Sequence, residues 1–136
     1  MATRRTPQSF SVQDFMQITR GKCHCGAVTF SLNVKPKALV DCNCSFCSRI
    51  RGLWAHCHVS EADIATGPHG THAYSHGDRQ LAFHSCKVCG CTTHWQGLTP
   101  ENQDRLALNM RMADPKSIAS IPIRKFDGAV TWSFID

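Results

Sequence analysis

Apolar and polar residues alternate in short runs along this chain, and turn-forming residues separate the runs. Ile18 to Val34 alternates over Ala27-Val28-Thr29-Phe30-Ser31-Leu32 and predicts a strand, which Pro36 ends. Ala38 to Val40 leads into a cysteine-rich loop, and Ser45 to Ile50 reads as a short helical turn. Leu53 to Val59 predicts a strand, and Ser60 to Ile64 one capped helical turn. Thr71 to His76 and Gln80 to Ser85 flank His76-Gly77-Asp78-Arg79, a good hairpin turn. Thr92 to Gln96 predicts another strand. Arg105 to Met112 sets Leu106, Leu108, Met110 and Met112 against Ala107, Asn109 and Arg111, the pattern of a half-buried strand. Asp114 to Ser120 reads as a short helix, and Val130 to Ile135 as a last strand. Many short strands at close spacing predict a mainly β domain with few helical turns.

At 136 residues the chain fits one domain, expected over 18–136 after a flexible lead at 1–17. An apolar fraction of 42% with 18% charged residues excludes a disordered or collagen-like chain. No run approaches the length of a membrane span, and Met1 to Gln17 has no apolar block of signal-peptide type, so a cytoplasmic, soluble protein is expected. Arg4 and Arg5 also fit a fragment of a targeting peptide, although a tail is the better reading.

The outlying numbers are nine Cys and eight His. An odd cysteine count without a secretion signal argues against a disulfide framework, and the spacing argues more strongly. Cys23-His24-Cys25-Gly26 and Cys86-Lys87-Val88-Cys89-Gly90 are two pairs, each closed by glycine. Such turns aim two sulfurs at one point, and the glycine permits a left-handed backbone. Two halves from distant segments make a closed four-sulfur site that contributes directly to folding. Cys42-Asn43-Cys44-Ser45-Phe46-Cys47 places three thiols within six residues. Three ligands with a free fourth position is the pattern of catalytic zinc, which makes Cys42, Cys44 and Cys47 the candidate catalytic group. Cys57 or Cys91 can instead fill the fourth position and close the site. Iron as well as zinc occupies four-sulfur sites. A thioredoxin-like role for Cys44 and Cys47 lacks the expected βαβ context.

The metal reading changes the charge. The formal +5 counts every cysteine as neutral; a four-thiolate and a three-thiolate zinc site bring it to about +2. The basic residues are scattered, which does not favour a nucleic-acid footprint. His56 and His58 share one strand face and Cys57 takes the other, so a packed or solvent-facing histidine pair is expected. His69, His72 and His76 read as exposed hairpin positions. His84 and His94 flank the second cysteine pair, as donors to thiolates or as surface residues.

Taken in order, Cys23-His24-Cys25-Gly26-Ala27-Val28-Thr29-Phe30, the three-cysteine loop, Cys86 to Gly90 and Leu108-Asn109-Met110-Arg111 resemble the glutathione-dependent formaldehyde-activating enzyme family, whose domain is shared with centromere protein V. The likeness runs from about Thr19 to Asp114. It implies a zinc-stabilised β-sandwich of short strands, similar to methionine sulfoxide reductase B. It implies a structural zinc on Cys23, Cys25, Cys86 and Cys89 and a second zinc on Cys42, Cys44 and Cys47. It also implies carbon–sulfur lyase chemistry, with S-(hydroxymethyl)glutathione formation from glutathione and formaldehyde as the named reaction. Ser48 stands where members often carry a basic residue, with Arg49 next.

The partner expected on this reading is a small thiol or thiol adduct, with no membrane. Arg49, Arg51 and Arg111 are candidates to hold its carboxylate, and Asn109 to donate a hydrogen bond. A non-catalytic zinc module that binds protein or nucleic acid is the alternative.

Overall fold

The computed structural model describes residues 18–136, so the lead expected at 1–17 lies outside the described residues. The strands are β1 (Thr19–Lys22), β2 (Thr29–Leu32), β3 (Leu39–Cys42), β4 (Trp54–His58), β5 (Ala62–Ala65), β6 (Thr71–Tyr74), β7 (Leu81–Cys86), β8 (Thr92–Gly97), β9 (Arg105–Asn109), β10 (Ile123–Asp127) and β11 (Ser133–Phe134). Two single-turn helices, α1 (Cys47–Ile50) and α2 (Pro115–Ile118), interrupt them. The fold is mainly β, in two sheets. One has the order β1-β2-β5, the other β11-β10-β3-β4-β9-β8-β7-β6. Every pairing is antiparallel except β3 with β10, where Phe126 lies opposite Cys42.

The sheets share one apolar core. Phe30 and Leu32 of the small sheet pack with Leu53, Ala55, Leu106 and Leu108 on one face of the large sheet. Removing a side chain of this kind costs about 2–5 kcal/mol. The opposite face carries a second cluster of Val40, Trp54, Phe83, Trp95 and Ala107, with Cys47 of the three-cysteine loop packed into it. The large sheet is therefore covered on both sides at its centre.

Three expectations change, and one further strand appears. Ile18 to Val34 is not one strand but the hairpin β1–β2, whose turn carries Cys23 and Cys25. A turn, unlike a strand, can bring both sulfurs to one point. Ser60 to Ile64 divides into a 3-10 turn at Val59–Glu61 and strand β5. His58 caps that turn through its ring, and Glu61 accepts from the His58 backbone N–H at 2.9 Å. Arg105 to Met112 is a strand only to Asn109, followed by a 3-10 turn at Met110–Met112. It is buried on both faces rather than one, because Ala107 lies under Trp54 and Trp95. Finally, β10 follows Pro122 over Ile123-Arg124-Lys125-Phe126-Asp127, and nothing in its local pattern announced a strand. Among the described residues no helix is long and apolar enough to cross a membrane.

Candidate metal centres

Cys23 and Cys25 sit on the β1–β2 turn; Cys86 ends β7 and Cys89 lies in the β7–β8 turn. The two turns are built alike. Gly26 and Gly90 both adopt a φ of +83°, and each N–H bonds back to the carbonyl of the first cysteine of its pair, at 3.0 and 2.9 Å. That left-handed conformation is what glycine supplies at no steric cost. The four sulfurs lie within 4.8 Å of one another. Cys25 Sγ stands 3.7 Å from Cys23 Sγ and 3.6 Å from Cys86 Sγ. A zinc–sulfur bond of about 2.3 Å in a tetrahedron puts sulfurs about 3.8 Å apart, so this cluster has the dimensions of a four-thiolate site.

Backbone N–H groups already point at the sulfurs. Val28 N donates to Cys23 Sγ and Val88 N to Cys86 Sγ, both at 3.3 Å. The Cys91 and Cys25 N–H groups hold the Cys89 thiol down to about 5, and the Cys89 N–H lowers Cys86. Thiolates are the ligand form, so these amides favour metal binding.

The second group is built on one loop. Cys42 ends β3, Cys44 follows in the turn, and Cys47 opens α1. Cys44 N donates to Cys42 Sγ and Cys47 N to Cys44 Sγ, both at 3.4 Å. The three sulfurs lie within 4.8 Å of one another, and no fourth His, Cys, Asp or Glu among the described residues joins them. Cys44 is held down to about 2, first by the Cys42 and Cys47 thiols and, against burial, by the Cys47 and Phe46 N–H groups. Cys57 cannot close the site: it packs into the core on the opposite face of β4. Cys91 packs against Cys23 and Cys86, where its sulfur receives the His24 N–H. Both groups thus have the chemistry and geometry to hold a metal ion.

Two contacts fix the loop. Phe46 packs at a tilt against Phe83, with centroids 4.2 Å apart, and stacks on Tyr74 at 5.5 Å, tying the loop to the β6–β7 hairpin. Asn43 binds the turn after β10: its Nδ2 donates to Asp127 at 3.1 Å and its Oδ1 accepts from Ala129 N at 3.0 Å. Gly128 in that turn lies so close that a Cβ there would stand 2.7 Å from Cys42 Sγ.

Above the three sulfurs opens a cavity of about 610 Å³. Trp54, Phe83 and Trp95 wall it from the sheet, and Phe126, Trp132 and Phe134 from the β10–β11 hairpin. His56 and Arg105 stand on the same sheet face. His56 is open to water within the cavity but surrounded by protein, and burial, then Arg105, lowers its pKa. The imidazole is therefore neutral at pH 7.

Arg49, Arg51, Asn109 and Arg111 do not line this cavity. Arg49 Nη1 donates to the Ser45 carbonyl at 2.7 Å. Arg51 ends α1 in a left-handed conformation, and its carbonyl accepts from Arg111 Nε at 3.1 Å. Asn109 is buried; its Oδ1 accepts from Leu53 N and Arg111 N, and its Nδ2 donates to the Thr92 carbonyl. The functional candidates missed from sequence are Arg105, His56 and the hairpin aromatics. The period-two spacing of Trp54 and His56 on one strand was a usable signal for His56.

The remaining histidines separate clearly. His84 and His94 are no surface pair: their rings stack at 4.6 Å and 4° across β7 and β8. Thr71 bonds His84 and Thr93 bonds His94, both at 2.8 Å. His69 and His72 are exposed, while His76 stacks on Tyr74 and Phe83.

Comparison with known proteins follows the same lines. A Rhodobacter sphaeroides protein of known crystal structure superposes with a TM-score of 0.61 at 27% identity, over 76% of this chain and 98% of that one. No curated protein sequence matches the chain. Residues 18–122, which carry all seven clustered cysteines, match the family described as glutathione-dependent formaldehyde-activating enzyme. The chain belongs to the glutathione-dependent formaldehyde-activating enzyme family.

Proposed function

We propose that the protein is a zinc-dependent carbon–sulfur lyase that makes or breaks the bond between a small thiol and a carbonyl carbon, the class of reaction to which the family's S-(hydroxymethyl)glutathione formation belongs. One observation carries the reading. Seven sulfurs form two groups; one group closes on itself, and the other meets a cavity with no fourth protein donor among the described residues.

On this reading Cys23, Cys25, Cys86 and Cys89 hold a structural zinc. Cys42, Cys44 and Cys47 would hold a second one, with no fourth protein donor among the described residues to compete with substrate. A zinc ion there supplies a Lewis acid that acidifies a thiol and polarises a carbonyl or its alkoxide. The chain's own groups do the rest. The N–H groups of Cys44 and Cys47 spread the negative charge of the ligand sulfurs. Trp54, Phe83 and Trp95 exclude water from that side of the cavity. His56 is neutral, and no protein group among the described residues hydrogen-bonds its ring nitrogens, so it can take the proton that the thiol releases and return it when the adduct breaks. The cytoplasm suits a protein whose nine cysteines form no disulfide in the structure.

Metal analysis with a turnover screen tests the proposal. The wild type should carry two zinc ions per chain, and Cys44→Ala one, with the fold retained and adduct turnover lost. Chelation that removes one ion should abolish turnover reversibly. Equal metal content in both proteins would reject the assignment.

A further inference from the structure

Trp132 stands apart among the large apolar residues. It is 72% exposed, and its backbone adopts a φ of +57°, a region a bulky residue rarely enters. Backbone strain of this kind persists where the surroundings enforce it and gathers at ligand sites. Here the turn is enforced by Asp127, whose carboxylate accepts from Val130 N and Thr131 N at 3.2 and 3.1 Å. The indole packs edge-on against Phe126, with centroids 5.0 Å apart, and forms part of the cavity wall above Cys42, Cys44 and Cys47. Phe134, edge-on to Phe126 with centroids 5.1 Å apart, lies in the same wall. This wall belongs to residues 123–136, beyond the segment that matches the family.

The polar side of the cavity is equally selective. Arg105 is the one lysine or arginine among the lining residues described. Its guanidinium lies 5.7 Å over the Trp95 ring and has no hydrogen-bond acceptor among the described residues. Among the amides nearby, Asn102 Nδ2 is already engaged, donating to Gln80 Oε1 at 2.6 Å. Asp78, also in the wall, repels anions. Glutathione carries two carboxylates, and one of them would meet no cation here.

Resting on the lyase reading above, we propose that the cavity is built for a thiol adduct with a flat aromatic body and a single carboxylate. The ring lies against Trp132 and Phe126, the carboxylate pairs with Arg105, and the sulfur reaches the three-cysteine group. Burial of the ring between aromatic side chains supplies the selectivity, and the guanidinium sets the orientation.

The test uses the full chain loaded with two cobalt ions, whose visible bands change when a thiol joins the second site, together with iodide quenching of tryptophan. The probes are 2-mercapto-3-phenylpropanoic acid, 2-mercaptopropanoic acid, 2-phenylethanethiol and glutathione. The phenyl acid should bind about tenfold or more tightly than each of the others, and it should shield Trp132, since Trp54 and Trp95 are already buried. Trp132→Ala should erase its advantage over 2-mercaptopropanoic acid, and Arg105→Gln its advantage over 2-phenylethanethiol. Glutathione binding as tightly as the phenyl acid, or a preference unchanged in Trp132→Ala, overturns the inference while leaving the lyase reading intact. A chain that takes up only one cobalt, or bands that no thiol alters, overturns both.

Discussion

The two sulfur clusters use the same donor atom and sit in different architecture. The four-sulfur group draws its members from two hairpin turns, with Cys25 and Cys86 61 residues apart in sequence. Each turn is closed by its own glycine and its own N–H···S bonds, so the geometry needs little from the rest of the chain. The three-sulfur group is local in sequence and yet depends on distant partners. Phe46 anchors it to β6–β7, Asn43 anchors it to the turn after β10, and Cys47 is buried in the second cluster. Sequence-local ligands thus belong to the group with the least self-sufficient structure. A cluster that closes on itself ties two segments together; one that faces a cavity must be held open by its surroundings.

The sharpest way to break this contrast is to remove one sulfur from the closed group. On the proposed assignment of a structural zinc to this group, Cys86→Ser should cost most or all of the cooperative fold, because such sites contribute on the order of 10 kcal/mol. Far-UV circular dichroism and thermal melting read the loss. Cys44→Ala should melt within a few degrees of the wild type, and equal melting of the two variants would dissolve the distinction.

Next in size is an effect of acid on the sheet beside the closed group. Burial, and then His84, lowers the His94 pKa from 6.5 to about 4, so the folded chain holds this ring neutral while the unfolded chain protonates it near 6.5. The unfolded state therefore binds the extra proton between those values, and stability falls as pH drops from about 6.5 to about 4. The contribution is up to about 3 kcal/mol. Urea unfolding of wild type and His94→Gln across that range isolates it, since the variant should lack this part of the slope. An NMR titration of His94 with a midpoint near 6.5 would contradict the burial argument.

The smallest expected effect probes how the open group is supported. Gly128→Ala places a methyl group 2.7 Å from Cys42 Sγ, so either the turn or the sulfur must shift. Metal affinity of the second site should drop about 10–100-fold, the usual result of disturbing a ligand's surroundings, while the first site keeps its ion. Competition with a chromophoric chelator measures both.

Much of this organisation was legible in the cysteine spacing, because C-x-C and C-x-x-C turns are local devices and the left-handed glycines follow directly from them. The mainly β architecture was legible for the same reason, since the β6–β7 hairpin and β8 are announced by their own alternation and turns. What escaped was set by tertiary partners. Ile123-Arg124-Lys125-Phe126-Asp127 becomes a strand only because β3 lies beside it, and that parallel partner is invisible in a local window. Ala107 and Asn109 look like a solvent face until Trp54 and Trp95 are seen to cover Ala107. The cavity's cation, Arg105, sits at the start of β9, while Arg49 and Arg111 spend guanidinium hydrogen bonds on the Ser45 and Arg51 carbonyls.

The parallel pairing of β3 with β10 has a consequence for how the molecule comes together during synthesis. Asn43 and Asp127 are 84 residues apart, so the ribosome releases the three-cysteine loop long before the hairpin that will roof it. Three neighbouring thiols can capture a metal ion at once, whereas the aromatic roof must wait for a slow, long-range strand addition. A nascent chain therefore passes through a stage in which the loop is bare to any passing thiol or oxidant, and completion of the sheet ends that exposure.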